Sequence, residues 1–201
     1  MDAKMDWATP RCGPYDRAMA TDPTKLSIVT YPEKVLRTQG KAVKEINDEV
    51  RAVAARMIEL MYDAEGIGLA APQVGLSLQM FVLDVPLGEG RSLADDPPTA
   101  TDGPRVFINP KIAKFEGPSE PFEEGCLSLP DIRGDVLRPP VVTMTATDEH
   151  GKSFTIRAGG LLARCLQHEF DHLQGVLILD KMTQTARMKN RTAVRDLERS
   201  R

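Results

Sequence analysis

Leu166-Gln167-His168-Glu169-Phe170-Asp171-His172-Leu173-Gln174-Gly175 is the stretch from which the rest of the chain can be read. Histidines four residues apart lie one turn apart on the same face of a helix. Such a pair can share one metal ion, and a glutamate between them is placed to act as general base. Chance is a weak explanation, because the chain holds only 3 histidines and two of them fall in this pattern. The helical spacing continues upstream: Leu161, Cys165, His168 and His172 make one stripe, and Leu162, Leu166, Glu169 and Leu173 the next. A helix is therefore expected from about Gly160 to Gln174, ended by Gly175, with its histidines turned toward a packed interior.

A catalytic metal usually has three protein ligands and one open position. No histidine follows His172, and the one downstream glutamate, Glu198, sits in a basic segment expected to be exposed. The soft candidates are Cys12, Cys126 and Cys165, too few and too scattered for a disulfide framework. Cys12 falls in a polar lead-in. Cys165 shares the histidines' helix and reads better as a small buried hydrophobe. Cys126 lies in Glu123-Glu124-Gly125-Cys126-Leu127-Ser128-Leu129-Pro130, a turn bounded by glycine and proline. A thiolate there could reach the metal from outside the helix and leave backbone N–H groups facing the open position. On spacing alone, a buried free cysteine in a strand is an equal reading.

The remaining segments read as follows. Residues 1–25 lack apolar periodicity and contain Pro10, Gly13, Pro14 and Pro23, so a flexible extension is expected. Val50, Val53, Ala54, Met57, Ile58 and Met61 predict a helix over about 47–64, capped by Asn47 or Asp48 and followed by Gly66. The glycine- and proline-rich run 66–75 is expected to be irregular, and 79–85 to be a buried strand. Residues 86–104 read as a long loop with little to bury, and 105–122 as extended. Alternation over 141–158 on both sides of Glu149-His150-Gly151 predicts a hairpin, and 183–199 can form a further helix. Strands in the middle with helices at the ends imply an α+β fold.

The net charge of -3 gives no global pull toward nucleic acid or an anionic membrane, and no apolar run approaches a membrane span. The lead-in has no apolar core of a secretory signal, and its acidic residues argue against a transit peptide, so a cytoplasmic protein is expected.

In combination and in this order, GIGLAAPQ (66–73), EGCLSLP (124–130) and QHEFDHLQG (167–175) resemble the three signature motifs of the peptide deformylases. The resemblance implies an α+β fold with antiparallel β-sheets packed around a central metal-binding α-helix, flanked by N-terminal and C-terminal helices. It implies a catalytic domain over 26–180, and metal-dependent hydrolysis of the formyl group from N-formylmethionyl nascent peptides. By motif match, Cys126, His168 and His172 would hold the metal and Glu169 would be the catalytic acid–base. Gln73 and the Leu127 N–H would stabilise the oxyanion, and Gly68 would offer a backbone contact to substrate. Arg133 resembles a substrate anchor. Ile67, Leu161 and Cys165 would line the methionine pocket, with the stem of Arg164 over its rim and Glu124 orienting its neighbours. The family implies one divalent ion, Fe2+ first, with Zn2+, Ni2+ or Co2+ as alternatives. Every motif position is intact. The departures are the long lead-in and the extended 86–104 loop.

Two rival functions can be weighed on the residues. A general zinc protease would want a third-ligand signature that the chain lacks. A metal-stabilised binding module would need four protein ligands and neither Glu169 nor Gln73. The segment 181–201 carries seven basic residues against two acidic, and Arg187, Arg191, Arg195 and Arg199 recur every fourth position. A solvated helix held weakly to the body is one reading. Docking to ribosomal RNA phosphates through the stripe is the other, with no sequence-specific nucleic-acid contact and no membrane contact.

Overall fold

The computed structural model describes residues 22–199. The expected flexible extension, residues 1–25 with Cys12, therefore lies almost wholly outside the described residues. The order of elements is α1 (Asp48–Asp63), β1 (Gly68–Ala70), β2 (Met80–Leu83), β3 (Arg105–Glu116), β4 (Glu120–Cys126), β5 (Leu129–Arg138), β6 (Val141–Thr147), β7 (Ser153–Gly159), α2 (Gly160–Leu173), α3 (Ile178–Lys181) and α4 (Gln184–Arg199). The result is α+β. A five-stranded antiparallel sheet runs β1-β2-β3-β6-β7, and β4 pairs with β5 as a separate two-stranded ribbon.

The apolar run of β2 explains the layering. Successive side chains of a strand point to opposite faces. Met80 and Val82 pack with Val53, Met57 and Met61 of α1, whereas Phe81 and Leu83 join the core around Leu162 and Leu166 of α2. The sheet thus lies between the two helices, and β2 is buried on both faces. Phe81 stacks on Phe107 at 4.6 Å between ring centroids. Each fully buried side chain of this kind contributes about 1.5–3 kcal/mol of transfer free energy.

Local chemistry fixes the helix ends. Asn47 caps α1 by accepting from the Val50 N–H at 3.0 Å. Gly175, at φ +72°, ends α2, where an added Cβ would meet the Arg37 backbone at 2.8 Å. The β6–β7 hairpin turns at 148–152, where Asp148 accepts from the His150 and Lys152 N–H groups.

Three expectations are corrected. The 66–75 run is not wholly irregular, because β1 pairs with β2 before a 3-10 turn at Ala71–Val74. The 86–104 loop does bury something: Ala100 and Thr101 are buried, and the Thr101 hydroxyl donates to Asp84 at 2.6 Å and accepts from the Val85 N–H at 2.9 Å. The C-terminal helix is firmly docked. Ala186 is buried, Ala193, Val194 and Leu197 pack on the Leu36–Ile132–Val136 cluster, and Asn190 donates to the Arg133 carbonyl at 2.8 Å. Four apolar residues spaced along one face sufficed because β5 and α3 offer a matching apolar surface.

Asn109 illustrates how one residue ties the segment before α1 to the central strand of the sheet. It sits at φ +50° where the pairing of β3 with β6 shifts register. Its carboxamide accepts from the Val43 N–H and donates to the Val43 carbonyl, both at 2.8 Å. Asn109→Ala loses both bonds at a left-handed position and is expected to cost roughly 2–4 kcal/mol in urea denaturation. Asn109→Gly, which relieves the backbone alone, should cost less.

Candidate metal centre

Helix α2 is buried on nearly every side, including the polar residues Arg164, Gln167, Glu169 and His172. Its pitch sets His168 and His172 with ring centroids 4.9 Å apart. Their Nε2 atoms are 3.2 Å apart, and the Cys126 Sγ, at the end of β4, is 3.3 Å from His172 Nε2. All three ligand atoms lie within 4.8 Å of one another. Two atoms about 2.0–2.3 Å from a shared tetrahedral ion sit roughly 3.3–3.7 Å apart. The donor set, one thiolate and two imidazoles, therefore fits a divalent ion in both chemistry and spacing. Cys165 lies elsewhere: its buried thiol reaches the Ile67 carbonyl at 3.4 Å.

The turn that brings Cys126 in is two residues long, Leu127-Ser128. Register jumps there, from Gly125 opposite Arg133 to Cys126 opposite Leu129. Asp131, at φ +60°, sits in the extra length of β5. The ligand therefore depends on a local irregularity in the ribbon.

Behind the ligands stands a buried ionic network. Glu124 accepts from His168 Nδ1 at 3.1 Å, from Arg138 Nε at 2.7 Å and Nη2 at 3.0 Å, and from Arg164 Nη1 at 3.3 Å. Arg138 also donates to Asp171 at 2.7 Å. Burial alone would raise the Glu124 carboxyl, but the hydrogen bonds from His168 and Arg138 hold it down at about 2. Glu124 thus holds the His168 ring in orientation, as carboxylates behind metal-bound imidazoles do.

Glu169 is the contrasting carboxylate. Burial pushes it up to about 7, against the pull of His168 and Arg138. Its Oε2 is buried without a hydrogen-bond partner among the described residues, as is His172 Nδ1. A buried carboxylate with a free oxygen beside three metal-ligating atoms is suited to taking a proton from a small molecule bound there. Gly68 makes room for it: an added Cβ would collide with the Glu169 carboxylate and come within 2.9 Å of Cys165 Sγ. Gln73 is buried, its Oε1 accepting from the Ala70 N–H at 2.8 Å. Its Nε2 is thereby turned to Ser128 Oγ at 3.4 Å and Cys126 Sγ at 3.6 Å.

A cavity of about 470 Å³ opens beside these groups. Its lining brings together Ile67, Gly68, Gln73, Cys126, Leu127, Arg133, Leu161, Cys165, His168 and Glu169, all expected from sequence; His172 lies behind the lining. Sequence reasoning missed Phe122 and Arg138. Arg164, whose stem was expected over the rim, does line the cavity, and its buried guanidinium donates to the carbonyls of Val136 at 3.1 Å and Glu120 at 2.6 Å. The register of β5 held a signal for Arg138, because Ile132, Gly134, Val136 and Arg138 share the inward face and an inward arginine requires a buried acid.

The polypeptide deformylase family model matches residues 25–188. Peptide deformylase 2 of Gloeobacter violaceus is 47% identical over 157 residues, covering 78% of this chain and 79% of the relative. The peptide deformylase of Acinetobacter baumannii is 44% identical over 176 residues, covering 88% and 93%. Among solved structures, a crystal structure of peptide deformylase from Plasmodium falciparum superposes with a TM-score of 0.77 at 38% identity, covering 86% of this chain and 95% of that one. The enzyme from Synechococcus elongatus in complex with actinonin superposes at 0.74 and 41% identity, covering 86% and 87%.

The convergence of the three ligand atoms has a direct consequence for metal content. Cys126→Ala, His168→Ala or His172→Ala should each strip the ion from dialysed protein in elemental analysis. Cys165→Ala should retain it. Stoichiometric metal in Cys126→Ala would move the third ligand.

Proposed function

The chain belongs to the polypeptide deformylase family, and we propose from that premise that it is a metal-dependent amidohydrolase that removes the formyl group from the N-terminal formylmethionine of nascent proteins, releasing formate. The observation that carries the reading is the unpartnered oxygen of Glu169 on the floor of the cavity, beside Cys126, His168 and His172. Cys126, His168 and His172 would hold one divalent ion, which would supply a water of lowered pKa and a Lewis acid for the formyl carbonyl. Fe2+ is the proposed ion; Zn2+, Ni2+ and Co2+ suit the same donors, and elemental analysis of protein purified without oxygen distinguishes them.

Glu169 takes the proton of the attacking water and passes it to the leaving amine. Its raised carboxyl matches that double duty, since a group near neutrality can both accept and release a proton. The Gln73 carboxamide, fixed through its oxygen by Ala70, and the Leu127 N–H donate to the oxyanion that develops on the formyl oxygen. One such donor is typically worth about 3–4 kcal/mol of barrier. The methionine side chain enters the cavity between Ile67, Leu161 and Cys165. The Gly68 backbone and Arg133 hold the peptide that follows.

The catalytic domain spans 26–180, between an N-terminal extension (1–25) and a basic C-terminal segment (181–201). The site of action is the cytoplasm, where nascent chains emerge. No helix among the described residues is long and apolar enough to cross a membrane. The ribosome is the proposed macromolecular partner. Arg187, Arg191, Arg195 and Arg199 are exposed on a helix that the body holds in place, so the stripe is presented as a fixed row of cations.

Two experiments test these assignments. Glu169→Gln is expected to lower formate release from formyl-Met-Ala-Ser by at least a hundredfold while metal content stays stoichiometric; near-native turnover would remove Glu169 from the mechanism. For the stripe, Arg191→Glu with Arg195→Glu should weaken co-sedimentation with ribosomes at low salt and leave hydrolysis of the free tripeptide intact. Charge reversal without effect on co-sedimentation would leave the stripe an ordinary solvated face.

A further inference from the structure

We propose that Asp84 is a positioning residue for the reaction: held by the hydroxyls of Tyr62 and Thr101, it fixes the Ile67–Gly68 backbone against the carboxylate of Glu169. The proposal rests on the deformylase reading and adds to it three residues that lie outside the cavity lining.

Strand β1 needs such support. It has three residues, Gly68–Ala70, and lies at the edge of the five-stranded sheet. Glycines at 66 and 68 flank Ile67, so the chain there has little stiffness of its own. The ends of a ladder open first. Here the last rung is the Asp84 N–H donating to the Ile67 carbonyl at 3.0 Å, and Asp84 itself stands one residue past the end of β2. The Cys165 thiol reaches the same carbonyl at 3.4 Å, but a thiol is a weak donor.

The groups that hold Asp84 come from two other parts of the chain. Tyr62, in the last turn of α1, donates its hydroxyl to Asp84 Oδ2 at 2.6 Å. Thr101, from the 86–104 loop, donates to Oδ1 at 2.6 Å. Each carboxylate oxygen thus has its own short donor. The Thr101 hydroxyl also accepts from the Val85 N–H at 2.9 Å, and the Thr101 N–H donates to the Val85 carbonyl at 2.8 Å. The loop is therefore stitched to the strand end beside Asp84. The hydrogen bond to Asp84 pushes the Tyr62 hydroxyl up to about 12, which keeps it a donor throughout the neutral range.

The backbone held in this way is the one that abuts the proton-transferring group. A Cβ on Gly68 would collide with the Glu169 carboxylate, so the position of β1 sets where that carboxylate can lie. Glu169 Oε2 has no hydrogen-bond partner among the described residues, which leaves packing to fix that oxygen. Misplacing a reacting group by about 1 Å can cost on the order of a hundredfold in rate. Loosening the clamp should therefore be felt in turnover more than in substrate affinity.

The test uses the full-length, metal-loaded enzyme and formyl-Met-Ala-Ser, with metal content matched and kcat and KM resolved separately. Tyr62→Phe and Thr101→Val each remove one hydroxyl and should lower kcat about tenfold with KM nearly unchanged. Thr101→Ser, which keeps the hydroxyl, should retain near wild-type kcat. Asp84→Ala should lower kcat at least as far, and in that background Tyr62→Phe should have no further effect, because its partner is gone. Reduced thermal stability with native kcat would give the cluster a structural role only and overturn the proposal. A loss confined to KM, or a Tyr62→Phe effect that persists without Asp84, would overturn it as well. If Asp84→Ala does not fold, Tyr62→Phe decides, since Tyr62 is half-exposed and loses one oxygen only. Wild-type enzyme that releases no formate overturns the deformylase reading itself, an outcome distinct from native kcat in the variants.

Discussion

Glu124 carries a charge that the interior tolerates only because three groups donate to it. A buried carboxylate costs several kcal/mol unless it is paired and fully hydrogen-bonded. Here Arg138, Arg164 and His168 supply donors from two different elements, and the remaining Nη1 of Arg138 donates to Asp171. The network locks the β4–β5 ribbon onto α2. Since Cys126 is on the ribbon and both histidines are on the helix, the same contacts that satisfy Glu124 bring the three ligand atoms together. Breaking the pair by removing one partner strands a buried charge and releases a metal ligand at once.

Two carboxylates within reach of His168 end in opposite states for environmental reasons. Glu124 is surrounded by N–H donors and stays ionised, while Glu169 is desolvated with one oxygen unpartnered and is raised toward neutrality. Such a split separates an orienting group from a proton-transferring one. Gly68 is the steric counterpart, since only a residue without Cβ lets β1 run so close to the Glu169 carboxylate.

The scaffold around this centre is stiff where the chemistry is and open where a peptide must enter. Helix α2 is packed by the five-stranded sheet on one side and hydrogen-bonded to the ribbon on the other. The cavity mouth is bordered instead by exposed residues of β4 and β5, Phe122 and Arg133 among them. The long 86–104 loop is anchored through Thr101 and reaches the start of α2, where Gly159 donates to the Pro98 carbonyl at 2.9 Å.

The sequence by itself determined what depends on short-range periodicity. The four-residue spacing of His168 and His172, the apolar faces of α1 and α2, and the alternation of β6 and β7 all follow from helix and strand geometry within a single element. The three motifs identified the family and the α+β fold on the same local footing. Only the tertiary structure decided what depends on elements distant in the chain. Cys126 and Cys165 were both open as ligands on spacing; the ribbon's irregular turn puts the first beside His172, 46 residues away, and helix packing turns the second to the Ile67 carbonyl. The docking of α4 and the burial of Arg138 and Arg164 were hidden for the same reason. A charged side chain reads as solvent-facing until the strand that buries it, and the acid that neutralises it, are seen to arrive from elsewhere in the chain.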